Sequence, residues 1–285
     1  MTSRTEGAQP DLAGFLRAAR RRAGAPGPEV DGRSRRVPGL RREELGELAG
    51  VSVDYVKRLE QGRSRTASPQ VLDALARALG LDDVERLHLH DLAAPPLHAR
   101  GRRPRPPRVH AATLDLLDTF DAAGRPAFVL GRRLDVLAWN GLACRLIVDF
   151  DALAPRDRNA ARVVFLSPHG RALYPDWDTA ATQVAASLRF EAGRHPGDPL
   201  LLDLIGELRE TDPHFEPAWS RQRVHRRGAG PVTYRHPLVG ELTLRYQALT
   251  VNFDADQTLY VGRATPGSEA GLAHLREAVG AAQSS

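Results

Sequence analysis

The 285-residue chain has one cysteine and one lysine, and aromatic residues make up only 6% of it. Each scarcity removes a class of protein. A single cysteine, Cys144, excludes an internal disulfide and any thiolate cluster for zinc. Set in the apolar stretch 142–148, it reads as a small buried hydrophobe rather than a reactive sensor. No apolar run reaches the roughly 18 residues that a membrane span needs. The opening MTSRTEGAQPDL is charged and lacks the apolar centre of a signal peptide, so a cytoplasmic protein is expected. Enzyme signatures are missing as well: there is no Gly-x-Ser-x-Gly elbow, phosphate loop or dinucleotide glycine fingerprint. His88 and His90 stand two apart on an expected helix, do not share a face and make a poor metal pair. We therefore expect no catalytic residue, no metal site and no cofactor, and a protein that is not an enzyme.

What is present is charge and two kinds of apolar pattern. The net charge is +5 and the isoelectric point is near 9.9, which is compatible with a polyanionic partner. Lys57 is the only lysine, and such lopsided arginine usage reflects genomic composition as readily as selection for bidentate contacts. Hydrophobic residues at 42% can fill real cores, and the length favours two domains over one.

The strongest local pattern is REELGELAGVSVDYVKRLEQGR at 42–63. Leu45 and Ala49 share one face of a first short helix, and Gly46 leaves room for close approach. Gly50 can take the left-handed conformation that ends a helix, and Ser52 follows as N-cap of a second helix with Val56 and Leu59 inward. This is helix-turn-helix spacing. Outward on the second helix remain Val53, Asp54, Tyr55, Lys57, Arg58 and Gln61, a mixture suited to base edges and phosphates.

Around this motif the chain predicts further helices. One starts at Asp11 with Leu12, Phe15, Leu16 and Ala19 inward and ends in Arg20, Arg21 and Arg22. Another starts at Ser68-Pro69 as N-cap and first helical residue, and a third spans 82–92. Five helices result, with a Pro-, Gly- and Arg-rich loop at 25–39. Residues 94–109 are rich in proline and arginine without an acidic residue. They read as a semi-rigid spacer or as a supplementary arm for phosphates or the minor groove.

From His110 strand-like segments enter. An amphipathic helix at 111–120 precedes a hairpin of 127–130 and 134–139, turning at 131–133. Helices are expected at 141–150, 160–167, 179–189, 200–209 and 215–221, then strands at 222–225, 232–236, 241–250 and 257–261. Two strands, inserted helices and several closing strands predict an α+β domain of PAS type with one antiparallel sheet. The domain organisation is thus an all-α five-helix domain at 11–93, a linker at 94–109, an α+β domain at 110–265, and a C-terminal helix or tail at 266–285.

Residues 11–93 resemble the helix-turn-helix domain of the Xre family. The resemblance implies that the helix at 52–61 enters the major groove of double-stranded DNA while Arg42 holds the backbone. It implies base-reading places at Ser52, Val53, Asp54 and Arg58 and backbone-contacting places at Gln61, Arg63 and Arg65, with Lys57 also on the DNA-facing side. A carboxylate such as Asp54 near DNA needs a cytosine amino group or an arginine partner. The later stretches VLAWN (136–140), FLSPHGRALYPDW (165–177), HPGDPLLLDLIGEL (195–208), DPHFEPAW (212–219) and HPLVGELTLRYQAL (236–249) resemble the ligand-binding domain of MmyB-like regulators. That resemblance implies a transcription factor whose second, PAS-like domain holds a fatty acid or a similar lipophilic effector.

Large apolar side chains at Trp139, Phe165, Leu188, Phe215, Trp219, Leu244 and Tyr246 are candidates for the effector's pocket, or else core. Arg162, Arg189 and His236 are candidates for meeting a carboxylate. The alternatives for those three are helix capping or ion pairing for the arginines and the fastening of a turn for His236. A homodimer is expected, because one small module gains affinity when two half-sites are read together. One competing reading makes the second domain a ligandless dimerisation or partner-binding module; another, an enzyme-like second domain, would need a convergent polar triad that the sequence does not display.

Overall fold

Helix signals at the N-terminus are strong enough that sequence and structure agree nearly residue for residue. The computed structural model describes residues 11–24, 39–64, 67–93, 108–221, 223, 230–251 and 256–283. Five helices come first: α1 Leu12–Arg22, α2 Arg42–Ala49, α3 Val53–Glu60, α4 Pro69–Ala78 and α5 Asp83–Ala93. Asp11 caps α1 by accepting from the Gly14 N–H, and Ser52 and Ser68 cap α3 and α4 through the Tyr55 and Val71 N–H groups. Gly50 ends α2 at φ 66°. A side chain at Gly46 would press within 2.8 Å of the Val51 carbonyl oxygen, so it is the turn itself that needs this glycine. The loop expected at 25–39 and the linker expected at 94–109 fall almost wholly outside the described residues.

The chain divides into two compact units. The first comprises Met1–Gly101, Arg189–Gly206 and Trp219–Arg226, and the second comprises Arg102–Leu188, Glu207–Ala218 and Arg227–Ser285. Within the first, Phe15, Leu16, Leu45, Leu59, Leu75 and Leu89 form one buried cluster, which Phe190 joins. His88 is fully buried there, edge-on to Phe15 with ring centres 5.2 Å apart, and neither ring nitrogen has a hydrogen-bond partner among the described residues. Burial, assisted by the charge of Arg189, pushes its pKa down to about 3, which keeps it neutral.

The second unit is α+β. Its elements in order are α6 Ala111–Ala122, β1 Ala127–Leu130, β2 Val136–Trp139, α7 Gly141–Leu146, α8 Ala160–Leu166 and α9 Pro168–Leu173. Then follow α10 Trp177–Arg194, α11 Pro199–Thr211, α12 Phe215–Ser220, β3 Gly230–His236, β4 Gly240–Thr250, β5 Thr258–Ala264 and α13 Glu269–Gln283. Helices α10, α11 and α12 each contribute residues to both units. The sheet order is β2-β1-β5-β4-β3 with every pairing antiparallel, so the late strands join the early hairpin through β5. One face buries Ala127, Val129 and Leu259 with Leu117 of α6.

Several boundaries differ from the sequence reading for local reasons. Helix α7 stops at Leu146 rather than 150, where the Asp149 carboxylate takes the Asp151 and Ala152 N–H groups into a turn that competes with the helix. A helix at 168–173 was not anticipated, although Ser167 caps it through the His169 N–H and Pro168 opens it. In the hairpin the left-handed residue is Leu134 at φ 68°, a conformation that its near-complete burial maintains against its steric cost. Most of the strand expected at 222–225 lies outside the described residues. Cys144 is half-buried rather than buried, and desolvation, aided by nearby Asp149, raises its thiol pKa despite backbone hydrogen bonds, which disfavours a reactive thiolate.

Candidate functional site

The outward face of α3 is built from the inside. Val56 and Leu59 are buried, and this fixes the helix rotation so that Ser52, Val53, Asp54, Lys57, Arg58, Gln61 and Arg63 are all exposed. Arg65 lies outside the described residues. The Arg58 guanidinium sits 5.7 Å from the centre of the Tyr55 ring, which gives its long side chain a platform. Asp54 has no ion-pair partner among the described residues.

Helix α3 also carries a buried acid. Glu60 is 1% exposed. Its carboxylate accepts from Arg20 Nε at 2.6 Å and from Arg42 Nε at 2.5 Å, while its backbone carbonyl accepts from Arg17 Nη1 at 2.6 Å. Burial alone would raise its pKa, but the hydrogen bonds and charges of Arg20 and Arg42 outweigh that and hold it below its ordinary value. One acid thus ties α1 and α2 to the end of α3. Arg42, expected to hold the DNA backbone, is engaged by Glu60 through Nε and keeps 42% of its side chain exposed. Glu60 escaped the sequence reading because its partners lie 40 and 18 residues away.

The second unit has an aromatic row on the sheet face opposite α6. Phe128 stacks on Tyr260 with ring centres 5.3 Å apart, Tyr246 meets both edge-on, Tyr234 meets Tyr246, and Tyr174 meets Tyr234. Gly262 leaves space for this, because a Cβ there would come within 3.0 Å of the Tyr246 ring. The Tyr234 hydroxyl donates to the Tyr246 hydroxyl at 3.0 Å. Burial pushes the Tyr174 pKa up to about 12 and raises Tyr234 and Tyr246 further, so all three are neutral donors. Only Tyr246 of these was singled out from sequence; Tyr174 and Tyr234 gave no signal beyond being aromatic.

The ten sequence candidates for the pocket do not converge. Leu244 and Tyr246 lie on the aromatic face, as does Trp139 by its register opposite Phe128; its ring packs against Phe150. Phe165 and Phe215 pack edge-on at 5.1 Å in a helical cluster with Trp177. Leu188 is fully buried. Arg162 grips both oxygens of Glu207. Arg189 and Trp219 belong to the first unit, where Arg189 Nη2 donates to the Trp219 carbonyl at 2.6 Å and its guanidinium lies 4.1 Å from the ring centre. His236 pairs through Nε2 with the Arg145 carbonyl and through Nδ1 with the Leu238 N–H, which is the turn-fastening arrangement. Burial lowers its pKa against the opposing effect of that backbone bond.

Cys144, Asp149 and Asp151 bring potential ligand atoms within 4.8 Å of one another. Asp149 Oδ1 is already taken by two backbone N–H groups and the thiol is held protonated, which makes a poor metal cradle. Among the described residues no helix is long and apolar enough to cross a membrane.

Comparison with known proteins agrees with both halves of this description. Residues 11–89 match a helix-turn-helix domain family. Residues 109–278 match the MmyB-like transcription regulator ligand binding domain, which covers more than half of the chain. No curated protein gives a match. The chain is a DNA-binding transcription regulator and belongs to the MmyB-like family.

Proposed function

We propose that α3 reads the major groove in the manner of Xre-type domains, and that a fatty-acid-like effector in the second unit controls this reading. The observation that carries the first part is the uninterrupted exposed surface of α3 beside a buried Glu60 anchor, which holds a recognition helix rigidly by its inner side. Arg58 is the bidentate reader of guanine, with Ser52, Val53 and Asp54 at neighbouring base edges. Lys57, Gln61, Arg63, Arg65 and the outer part of Arg42 meet phosphates. An unpaired Asp54 suits a cytosine amino group and is repelled by phosphate, so it sharpens sequence choice.

Arg58→Ala is expected to cost about 1–3 kcal/mol for the cognate site and little for random DNA. Arg63→Ala is expected to weaken all sequences alike and to flatten the dependence of log affinity on log salt by about one unit. Fluorescence anisotropy across a salt series separates the two, and equal behaviour of both variants with wild type would reject this docking.

The second part rests on the aromatic row and its hydroxyl pair in a domain that belongs to a ligand-binding family. An acyl chain lies against Phe128, Tyr246 and Tyr260, and its carboxylate accepts from the Tyr246 hydroxyl, whose own proton is not used in its bond with Tyr234. Two chains on two half-sites then respond together, because the effector binds one domain arrangement more tightly than the other. Native mass spectrometry of the purified chain is expected to show a co-purified fatty acid, with occupancy reduced severalfold in Tyr246→Phe. A lipid-free chain that ignores added fatty acids would favour the ligandless dimerisation module instead.

A further inference from the structure

Half of the described arginines of the second unit are answered by acids. Arg132 pairs with Asp256, Arg133 with Asp135, Arg162 with Glu207, Arg171 with Asp212, Arg209 with Glu216 and Arg235 with Glu241. Three arginines without such a partner border one open cleft of about 450 Å³. It is bounded by the turn after α6, the end of β5 and the outer side of α13, and is lined by Arg125, Arg263 and Arg276 together with Ala264, Glu269 and Leu272. None of these three arginines has an ion-pair partner among the described residues. The one acid of the lining, Glu269, turns its carboxylate to the Gly267 N–H at 2.7 Å.

Two backbone features bear on how the cluster is held. Gly124, at φ +67°, closes α6, and the Arg276 guanidinium lies against it, with Nη1 3.0 Å from where a Cβ would stand. Arg263 stands directly opposite Arg245 across β5 and β4. Like charges directly opposite on antiparallel strands repel and lower sheet stability. The arrangement therefore brings positive charge together from three elements, with no ion pair to any of the three arginines among the described residues and Glu269 as the one acid of the lining.

The geometry points to an anion-binding cleft for a small, multiply charged phosphate-bearing molecule of the diphosphate class. Three guanidinium forks match phosphate oxygens, which accept paired N–H groups in the guanidinium plane. A singly charged carboxylate would leave two of the three cations unanswered. The apolar wall at Ala264 and Leu272 leaves space for an organic group attached to the phosphates. This site shares no residue with the aromatic row or with α3, so it stands or falls apart from the function proposed above.

The test uses the full chain and inorganic pyrophosphate as probe, in isothermal titration at constant ionic strength. Wild type and Arg145→Gln, which removes an exposed arginine outside the cleft, are expected to bind pyrophosphate saturably and equally. The double variant Arg263→Gln/Arg276→Gln is expected to bind about tenfold more weakly or worse, a difference of about 1.4 kcal/mol. Circular dichroism checks that it remains folded, and removal of the Arg263–Arg245 repulsion gives it a melting temperature no lower than that of wild type. Pyrophosphate binding that is absent in wild type, or unchanged in the double variant, would overturn the assignment. Binding only to vesicles carrying phosphatidic acid, with none to soluble pyrophosphate, would also overturn it and place the chemistry at a lipid surface.

Discussion

Glu60→Gln is expected to destabilise the helix-turn-helix domain by about 3 kcal/mol, because breaking a buried pair leaves its partner charges uncompensated. The carboxylate is almost inaccessible and answers two guanidiniums, and Arg20, its closer companion in burial, is only 12% exposed. A neutral amide of the same shape keeps the packing and removes the charge, so the loss reports electrostatics rather than a cavity. All three tryptophans lie beyond residue 138, so amide hydrogen exchange in α1, α2 and α3 is a better readout than fluorescence. The pH dependence has a definite sign. A folded-state pKa below the unfolded value means that this contribution is complete above the unfolded glutamate pKa of about 4.3 and is lost as pH falls through the lower folded value. Glu60→Gln should therefore lose most against wild type near neutrality, and the two should converge in acid. DNA affinity should fall along with protection, since Glu60 joins α1 and α2 to the reading helix.

Gly170→Ala is expected to cost the second unit about 3 kcal/mol or more, a value that belongs with the severe single substitutions. A Cβ at position 170 would overlap the carbonyl oxygen of Val163 on α8, and its next neighbours are also backbone atoms. Rotamer changes cannot relieve a clash with main chain, so α9 must move away from α8. Thermal unfolding followed by the fluorescence of Trp177, which donates to the Val164 carbonyl in the same corner, measures this directly. A melting temperature within about a degree of wild type would contradict the packing described. The prediction also explains the glycine in FLSPHGRAL, a stretch whose resemblance to the family was legible from sequence while its reason was not.

Features fixed within a few residues were legible: the left-handed Gly50, the caps Ser52 and Ser68, the inward pair Val56 and Leu59, and the hairpin through β1 and β2. The helix at 168–173 carried the same Ser-Pro start as α4 and could have been found by the same rule. Features fixed by distant partners were not legible. Glu60 looks like one more polar residue of an amphipathic helix until Arg20 and Arg42 are placed beside it. For Arg162 the sequence leaves a ligand, a cap or an ion pair open, and it is Glu207, 45 residues on, that takes it. The hydroxyl pair of Tyr234 and Tyr246 depends on the β3–β4 register, and periodicity alone does not fix that register. The outward residues of α3 were legible because burial of Val56 and Leu59 leaves only one face to the outside.

The central claim is that this outward face reads sequence. The measurement that tests it most directly is nuclease footprinting of the full chain on DNA upstream of its own gene, comparing wild type, Arg58→Ala and Arg145→Ala. The account predicts two protected half-sites related by two-fold symmetry for wild type and Arg145→Ala, about one helical turn apart. It predicts that Arg58→Ala needs about tenfold or more protein for the same protection. Uniform coverage without discrete half-sites, or an Arg58→Ala footprint identical to that of wild type, would contradict it.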